Sequence, residues 1–287
     1  MAHTIGNPLS WAAKLLSGTG RSLGHAAETI GGQQNARPVV RSITVTDIRS
    51  ALRAGFNDFT HFRSDVVFLM GIYPLIGLAL AYMAFDRGLM PMVFPMAAGF
   101  ALLGPVVGVG LYELSRRREA GQDARWSDVL SLFRSSLMGR VLTLGAYLLG
   151  LFVLWLYAAV VIYDVTLGPA APVSAAAFLS DVLTTQAGWA MIALGFGVGF
   201  IFAVVALVVS LTSFPMIVDR EVGLPVAVMT SVAVCRRNPL AVAAWGLTVA
   251  ILLALGSLPF FLGLIVVLPV LGHATWHLYR KAVSYEG

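Results

Sequence analysis

VLTLGAYLLGLFVLWLYAAVVIY, residues 141–163, runs without one Asp, Glu, Lys or Arg between Arg140 and Asp164. A bilayer-spanning helix needs about 20 apolar residues at about 1.5 Å rise each, and this run has that length. It does not alternate in polarity, as the roughly ten-residue strands of a membrane barrel do. Working outward, five further runs read the same way: Val66–Ala84, Met92–Tyr112, Gly188–Leu211, Leu240–Ser257 and Pro259–Tyr279, all free of acidic and basic side chains. Their composition is that of the whole chain, in which 58% of the 287 residues are hydrophobic and 11% charged. Soluble domains carry roughly 25% charge, and water penalises large exposed apolar surface. The sequence therefore predicts an all-α, polytopic membrane protein with six transmembrane helices.

The segments between the runs fix the orientation. The N-terminal part holds Lys14, Arg21, Arg37, Arg41, Arg49, Arg53 and Arg63; the second connection holds Arg116, Arg117, Arg118, Arg125, Arg134 and Arg140. The fourth holds Arg220, Arg236 and Arg237, and the C-terminus Arg280 and Lys281. On the opposite side only Arg87 appears, so threading back and forth puts 18 of the 19 cations on one side. Basic connections stay in the cytoplasm, which places both termini there. The cations then face anionic headgroups, each attracted by about 1 kcal/mol, and the sequence pI of 9.7 is no sign of nucleic acid. The first 30 residues contain no continuous apolar signal-peptide core. One cysteine, Cys235, permits neither an intrachain disulfide nor a zinc cluster.

Residues 1–45 are expected to form a flexible cytoplasmic tail and 46–287 the membrane domain, with order starting at a Thr46-Asp47 helix cap. Ile48, Leu52, Gly55, Phe59 and Phe62 recur at helical steps opposite Arg49, Arg53 and Asn57. That pattern gives an amphipathic helix, either lying in the headgroup plane or packing on the floor of the bundle. Similar stretches open at Ser127-Asp128 and at Gly223-Leu224-Pro225, and the three end on Arg63, Arg140 and Arg237. The run from Pro105 to Arg117 also echoes that from Pro269 to Lys281, sharing Pro, Val, Gly, Leu and Arg. Together these suggest parallel internal repeats of surface helix, crossing, turn and crossing. The tight turn between the last two crossings falls at Ser257-Leu258-Pro259. The Gly104/Gly108 and Gly195/Gly199 pairs allow close helix approach, and Pro74, Pro95, Pro105 and Pro269 should kink or end helices.

Groups suited to chemistry are few. His273 and His277 lie four apart on one helix face. They are either haem or metal ligands, with His61 needed as partner for a bis-His haem site, or interfacial polar groups beside Trp276 and Tyr279 in an aromatic belt. Glu113 precedes Arg116 and Arg117 at the inner end of the second crossing and reads as their ion-pair partner, with Asp58, Asp65 and Asp219 in similar boundary positions. Arg49, Arg53, Arg63, Glu113, Arg116, Arg117, Arg140, Arg237, Trp276 and Tyr279 are expected at the headgroups or an interface. No carboxylate sits mid-membrane, and no phosphate loop, HExxH or nucleophile elbow is present, so no catalytic or metal residues and no cofactor are assigned.

Several runs are distinctive: Gly104-Pro105, then GLYELSRR at 110–117 with Glu119 and Gly121, Pro215, Asp219-Arg220, Asn238-Pro239, Trp245-Gly246, and LPVLGHATWHLY at 268–279. Through them the chain, from about Val40 to Val283, resembles an uncharacterised bacterial integral-membrane family, domain-of-unknown-function family 2189. The resemblance implies no established activity. Some members carry a label as cytochrome c oxidase subunits, which a haem–copper catalytic role cannot explain here. Such a subunit needs six intramembrane histidines, and at most two lie within a crossing.

The resulting expectation is a non-enzymatic accessory, assembly or stabilising subunit of an inner-membrane complex of the respiratory-chain kind, with membrane lipids and other integral membrane subunits as partners. A small-solute transporter or channel requires a polar cavity at mid-depth, lined by Thr143, Thr248 and Ser210. A haem-binding electron carrier requires His61 with His273 or His277.

Overall fold

The computed structural model describes residues 37–62, 89–122, 137–220 and 222–286, with isolated positions at 75, 77–79, 82, 129 and 132. The crossing expected at Val66–Ala84 lies outside the described residues, apart from helical positions 75, 77–79 and 82. So does most of the surface stretch from Ser127 to Arg140, together with Arg63, Asp65, Arg87, Arg125 and Arg134.

The described chain is helical apart from one short ribbon. Strand β1 (Arg37–Val40) pairs antiparallel with β2 (Val283–Glu286), Arg37 opposite Glu286 and Val40 opposite Val283. Order thus begins at least nine residues before Thr46, within the stretch expected to be a tail. The ribbon is the reason, since the C-terminal strand supplies hydrogen bonds to residues 37–40. Helix α1 (Val45–His61) follows, capped by Thr44 rather than Thr46. Asp47 accepts from Thr44 N at 2.9 Å and from its hydroxyl at 2.7 Å, engaging a donor that the first helical turn leaves open.

After a short 3-10 turn at Met90–Met92 come α2 (Val93–Leu102) and α3 (Gly104–Glu119), then α4 (Leu137–Thr166), α5 (Ala175–Thr184) and α6 (Gln186–Ser210). The order closes with α7 (Ser213–Asp219), α8 (Leu224–Arg237), α9 (Pro239–Ser257) and α10 (Leu264–Ala282). Among the described residues, four helical stretches are long and apolar enough to cross a bilayer: Met90–Glu119, Leu137–Thr166, Gln186–Asp219 and Pro239–Ser257. Pro105 sits at the start of α3, where its missing N–H costs nothing, and marks the α2/α3 joint.

The helix at the expected sixth crossing, α10, is not among these four, and its bounds differ from expectation at both ends. It begins at Leu264 rather than Pro259 and continues to Ala282. Residues 258–263 form a wider turn than Ser257-Leu258-Pro259, with Phe260 and Phe261 at φ 51° and 65°. Left-handed backbone costs a side-chain-bearing residue about 1–2 kcal/mol. The turn is closed by two glycines, for a Cβ on Gly263 would stand 2.7 Å from Gly256 Cα. Pro269 lies inside α10 without ending it.

Burial is uneven along these helices. The tightly packed region lies where the cations gather: Phe214, Met216, Trp245, Leu278, Trp276 and Tyr279 are among its buried side chains. Away from that end, Phe196, Phe200, Ile201, Leu247, Ile251, Leu255, Val153 and Leu154 are exposed. Water penalises such continuous apolar faces and lipid does not. The packed end and the bare apolar shafts therefore divide the molecule into a polar-faced floor and membrane-spanning helices.

Close helix approach uses other glycines than the expected pairs. A Cβ at Gly104, Gly195 or Gly197 meets nothing within 4 Å, and at Gly108 it meets only the Tyr112 side chain. Gly199 faces the Trp155 ring. Backbone-to-backbone contact occurs instead at Gly55, where a Cβ would lie 2.6 Å from Ala274 N and 2.7 Å from Val270 O. Helix α1 is accordingly packed on α10, burying Ile48, Ala51, Gly55 and Phe59 and leaving Arg49 and Arg53 outward.

Candidate functional site

The close seating of α1 on α10 brings polar groups distant in sequence into one buried knot. Asp58, on the inward face of α1, is 5% exposed. Ser115 of α3 donates to its Oδ2 at 2.5 Å, and His277 Nε2 of α10 lies 2.9 Å from the same oxygen. Arg118 donates from Nη1 to Asp58 Oδ1 at 2.7 Å and to the Asn57 carbonyl at 2.9 Å. Burial opposes ionisation of this carboxyl, but the hydrogen bonds from His277 and Ser115 and the charges nearby outweigh it, holding the pKa below the ordinary 3.8.

His273 is fully buried, its Nδ1 2.8 Å from Ser115 Oγ and its ring stacked on Phe62 with centroids 6.0 Å apart. Ser115 has a single hydroxyl proton, which goes to Asp58, so His273 must donate from Nδ1 to Ser115 Oγ. A neutral ring then keeps only a lone pair at Nε2, which has no hydrogen-bond partner among the described residues.

A second cluster surrounds Glu113, which is 2% exposed. Arg116 donates to it through Nε and Nη2, both at 2.7 Å, and Arg117 through Nε at 2.7 Å. This fork geometry is the strong form of a guanidinium–carboxylate pair. A third joins the C-terminus to α7: Tyr279 donates to Asp219 Oδ2 at 2.7 Å, and its hydroxyl lies 2.6 Å from that of Tyr285. Burial pushes the Tyr285 hydroxyl up to about 12. Trp276 Nε1 and Arg280 Nε donate to Glu119 at 2.9 and 3.1 Å, and Arg220 stacks 4.8 Å above the Tyr285 ring. Asn238, buried at the α8/α9 junction, accepts from Ile43 N at 2.8 Å and donates to the Arg41 carbonyl at 3.0 Å, fastening the chain ahead of α1.

The expected headgroup residues divide accordingly. Arg49, Arg53 and Arg237 are exposed, whereas Arg116 and Arg117 are half-buried on Glu113. Glu113, Arg140, Trp276 and Tyr279 do not face headgroups; all four are buried inside the chain. Each bonds a polar neighbour, Arg140 donating from Nη1 to the Val222 carbonyl at 2.9 Å, and an amphipathic group so engaged can pack as core. Trp276 lies 5.6 Å from Tyr279 within that core rather than in an aromatic belt.

Among the described residues, His61, His273 and His277 do not assemble as a ligand set. His61 is exposed, with its ring edge-on to Phe62, and the ring stacked on His273 is Phe62. Among the described residues, no three His, Cys, Asp or Glu side chains are grouped to hold a metal ion. Thr143 is exposed and bonds back to Gly139 O, as Thr248 does to Ala244 O. Sequence reasoning missed Ser115 and Arg118 as partners of Asp58, and Asn238 as a fastener. The only signal for them was their place in or directly after the GLYELSRR run and in the Asn-Pro run.

Residues 93–219, which carry Glu113, Ser115, the arginine run and Asp219, match the model of a family described as predicted integral membrane protein, DUF2189. This segment resembles that family. The match takes in three of the four membrane-length stretches and stops at the end of α7. The histidines of α10 and Asp58 of α1 lie beyond it. No curated protein and no solved structure matches the chain.

Proposed function

We propose that this multi-pass membrane protein is a non-catalytic accessory, assembly or stabilising subunit of a larger bacterial inner-membrane complex, respiratory complexes being the first to examine. Its basic floor and both termini face the cytoplasm. The observation that carries the reading is how the polar groups are used. Asp58, Glu113, Asp219, Glu119 and both α10 histidines each contact another side chain of this same chain. Side chains so engaged brace a platform; they are not poised over a substrate.

Six crossings fit this floor. Helix α9 leaves it just after Arg237, and α10 returns to it at Arg280 and Lys281. Both have 19 residues, about 28 Å at 1.5 Å per residue, so α10 retraces the depth that α9 covers. The cation-free hairpin 164–185 caps the far end of α4, whose 30 residues extend about 45 Å from Leu137. The repeat reading gains support from α3 and α10, whose echoing segments touch at Leu111 with Gly272 and at Ser115 with His273, with Glu119, just beyond the echo, touching Trp276. These contacts advance in the same direction along both helices, as parallel repeats require.

Membrane solubilisation in a mild detergent, followed by affinity purification of the natively expressed chain, tests the proposal. Stoichiometric co-purification of other integral membrane subunits is expected. Recovery of a lone monomer from every membrane preparation contradicts it.

A further inference from the structure

The cations of the floor fall into two groups. Arg116, Arg117, Arg118, Arg220, Arg280 and Lys281 each have a carboxylate within 4 Å. Arg41, Arg49, Arg53, Arg236 and Arg237 have none among the described residues, and of these Arg236 and Arg237 are adjacent in the chain and both exposed. They end α8 side by side and, with Val40 and Ala233, line an open concavity of about 440 Å³. Arg237 donates through Nε to Ser42 Oγ at 3.3 Å. Asn238, the next residue, is locked by its bonds to Ile43 and Arg41. The backbone carrying the two guanidinium groups is therefore held fixed.

We infer that the Arg236–Arg237 pair, in the concavity beside Val40, binds the phosphate group of an anionic ligand. Guanidinium groups present paired N–H donors that match phosphate oxygens, and here two of them are carried on adjacent residues of one anchored helix end. Location favours a lipid as the source. The apolar helix α9 starts at Pro239, two residues after Arg237, so the pair sits at the depth of headgroup phosphates if α9 crosses. A soluble phosphate compound offers the same chemistry and is separated by experiment. The inference rests on α9 as a crossing and not on any partner subunit; a lone monomer that binds phosphate here ends the accessory reading and leaves this one standing.

Phenylglyoxal footprinting of the purified full-length chain, read arginine by arginine by mass spectrometry, provides the test. The chain is labelled in neutral detergent micelles, in the same micelles doped with phosphatidylglycerol or phosphatidylcholine, and with millimolar inorganic phosphate. Phosphatidylglycerol should slow modification of Arg236 and Arg237 several-fold while Arg49 and Arg53, exposed on α1, keep their rates. Protection by inorganic phosphate alone supports the site and assigns it to a soluble ligand. No protection by either, or equal protection of Arg49 and Arg53, overturns the inference, because the charge effect is then absent or diffuse. Native mass spectrometry adds a second reading, with phosphatidylglycerol carried by the wild type and by R49Q/R53Q but lost from R236Q/R237Q.

Discussion

Gly55 and Ala274 hold α1 and α10 at backbone contact: a Cβ on Gly55 would stand 2.6 Å from the Ala274 nitrogen and 2.8 Å from its Cα. Backbone cannot swing aside as a flexible side chain can. Gly55→Ala should therefore push the helices apart and cost about 1–3 kcal/mol, the usual penalty for overpacking. Gly197→Ala, where a Cβ meets nothing within 4 Å, serves as the control. Thermal unfolding in detergent should show a lowered midpoint for the first variant and none for the second.

That contact is also what brings Asp58 into reach of α3 and α10. Asp58→Asn keeps the shape but removes the charge that Arg118 and His277 address, with an expected loss of about 1–3 kcal/mol. The pH dependence has a definite sign. A carboxyl whose folded pKa is depressed adds stability that is complete above its unfolded value, near 3.8, and is lost as pH falls through the folded pKa. The gap in unfolding midpoint between wild type and D58N should stay constant near neutrality and close in strong acid.

Asn238→Ala should release the strand segment. Its side chain accepts from Ile43 N and donates to Arg41 O, and both belong to the stretch joining β1 to α1. A buried N–H left without a partner costs about 1–3 kcal/mol. Hydrogen exchange at residues 38–44 should rise sharply in N238A, with exchange in α4 and α6 unchanged.

Much of the membrane architecture is legible because a long uncharged run has few alternatives. The expected crossings at Val141–Tyr163, Gly188–Leu211 and Leu240–Ser257 lie within α4, α6 with its extension, and α9. What eludes a one-dimensional reading is packing between distant elements. Phe260 and Phe261 give no hint of left-handed backbone, since aromatic side chains disfavour it, and so the turn before α10 looks shorter than it is. The GxxxG pairs mark where helices can approach, whereas the actual approach at Gly55 depends on which helix α1 meets. His273 and His277 show as an i, i+4 pair, but their partners Ser115 and Asp58 lie more than 150 residues away. Trp276 and Tyr279 resemble a membrane belt until Glu119 and Asp219 are seen to satisfy them inside the core.

Cys235 should be nearly inert in the native protein. It is buried, and burial pushes its thiol up to about 11, leaving little thiolate near neutral pH. Maleimide should label it only after unfolding, as mass measurement of the treated chain would show. The native sequence thus supplies a silent background for introduced cysteines.

That background allows the most direct test of the orientation on which the account depends. Val173, 98% exposed in the cation-free hairpin, and Lys281, at the end of α10 on the basic floor, are each changed to Cys. Intact cells with a permeable outer membrane are then treated with a membrane-impermeant maleimide. The account predicts rapid labelling of Val173→Cys from outside and labelling of Lys281→Cys only after the inner membrane is opened. Labelling of Lys281→Cys in intact cells, or of both positions alike, contradicts it.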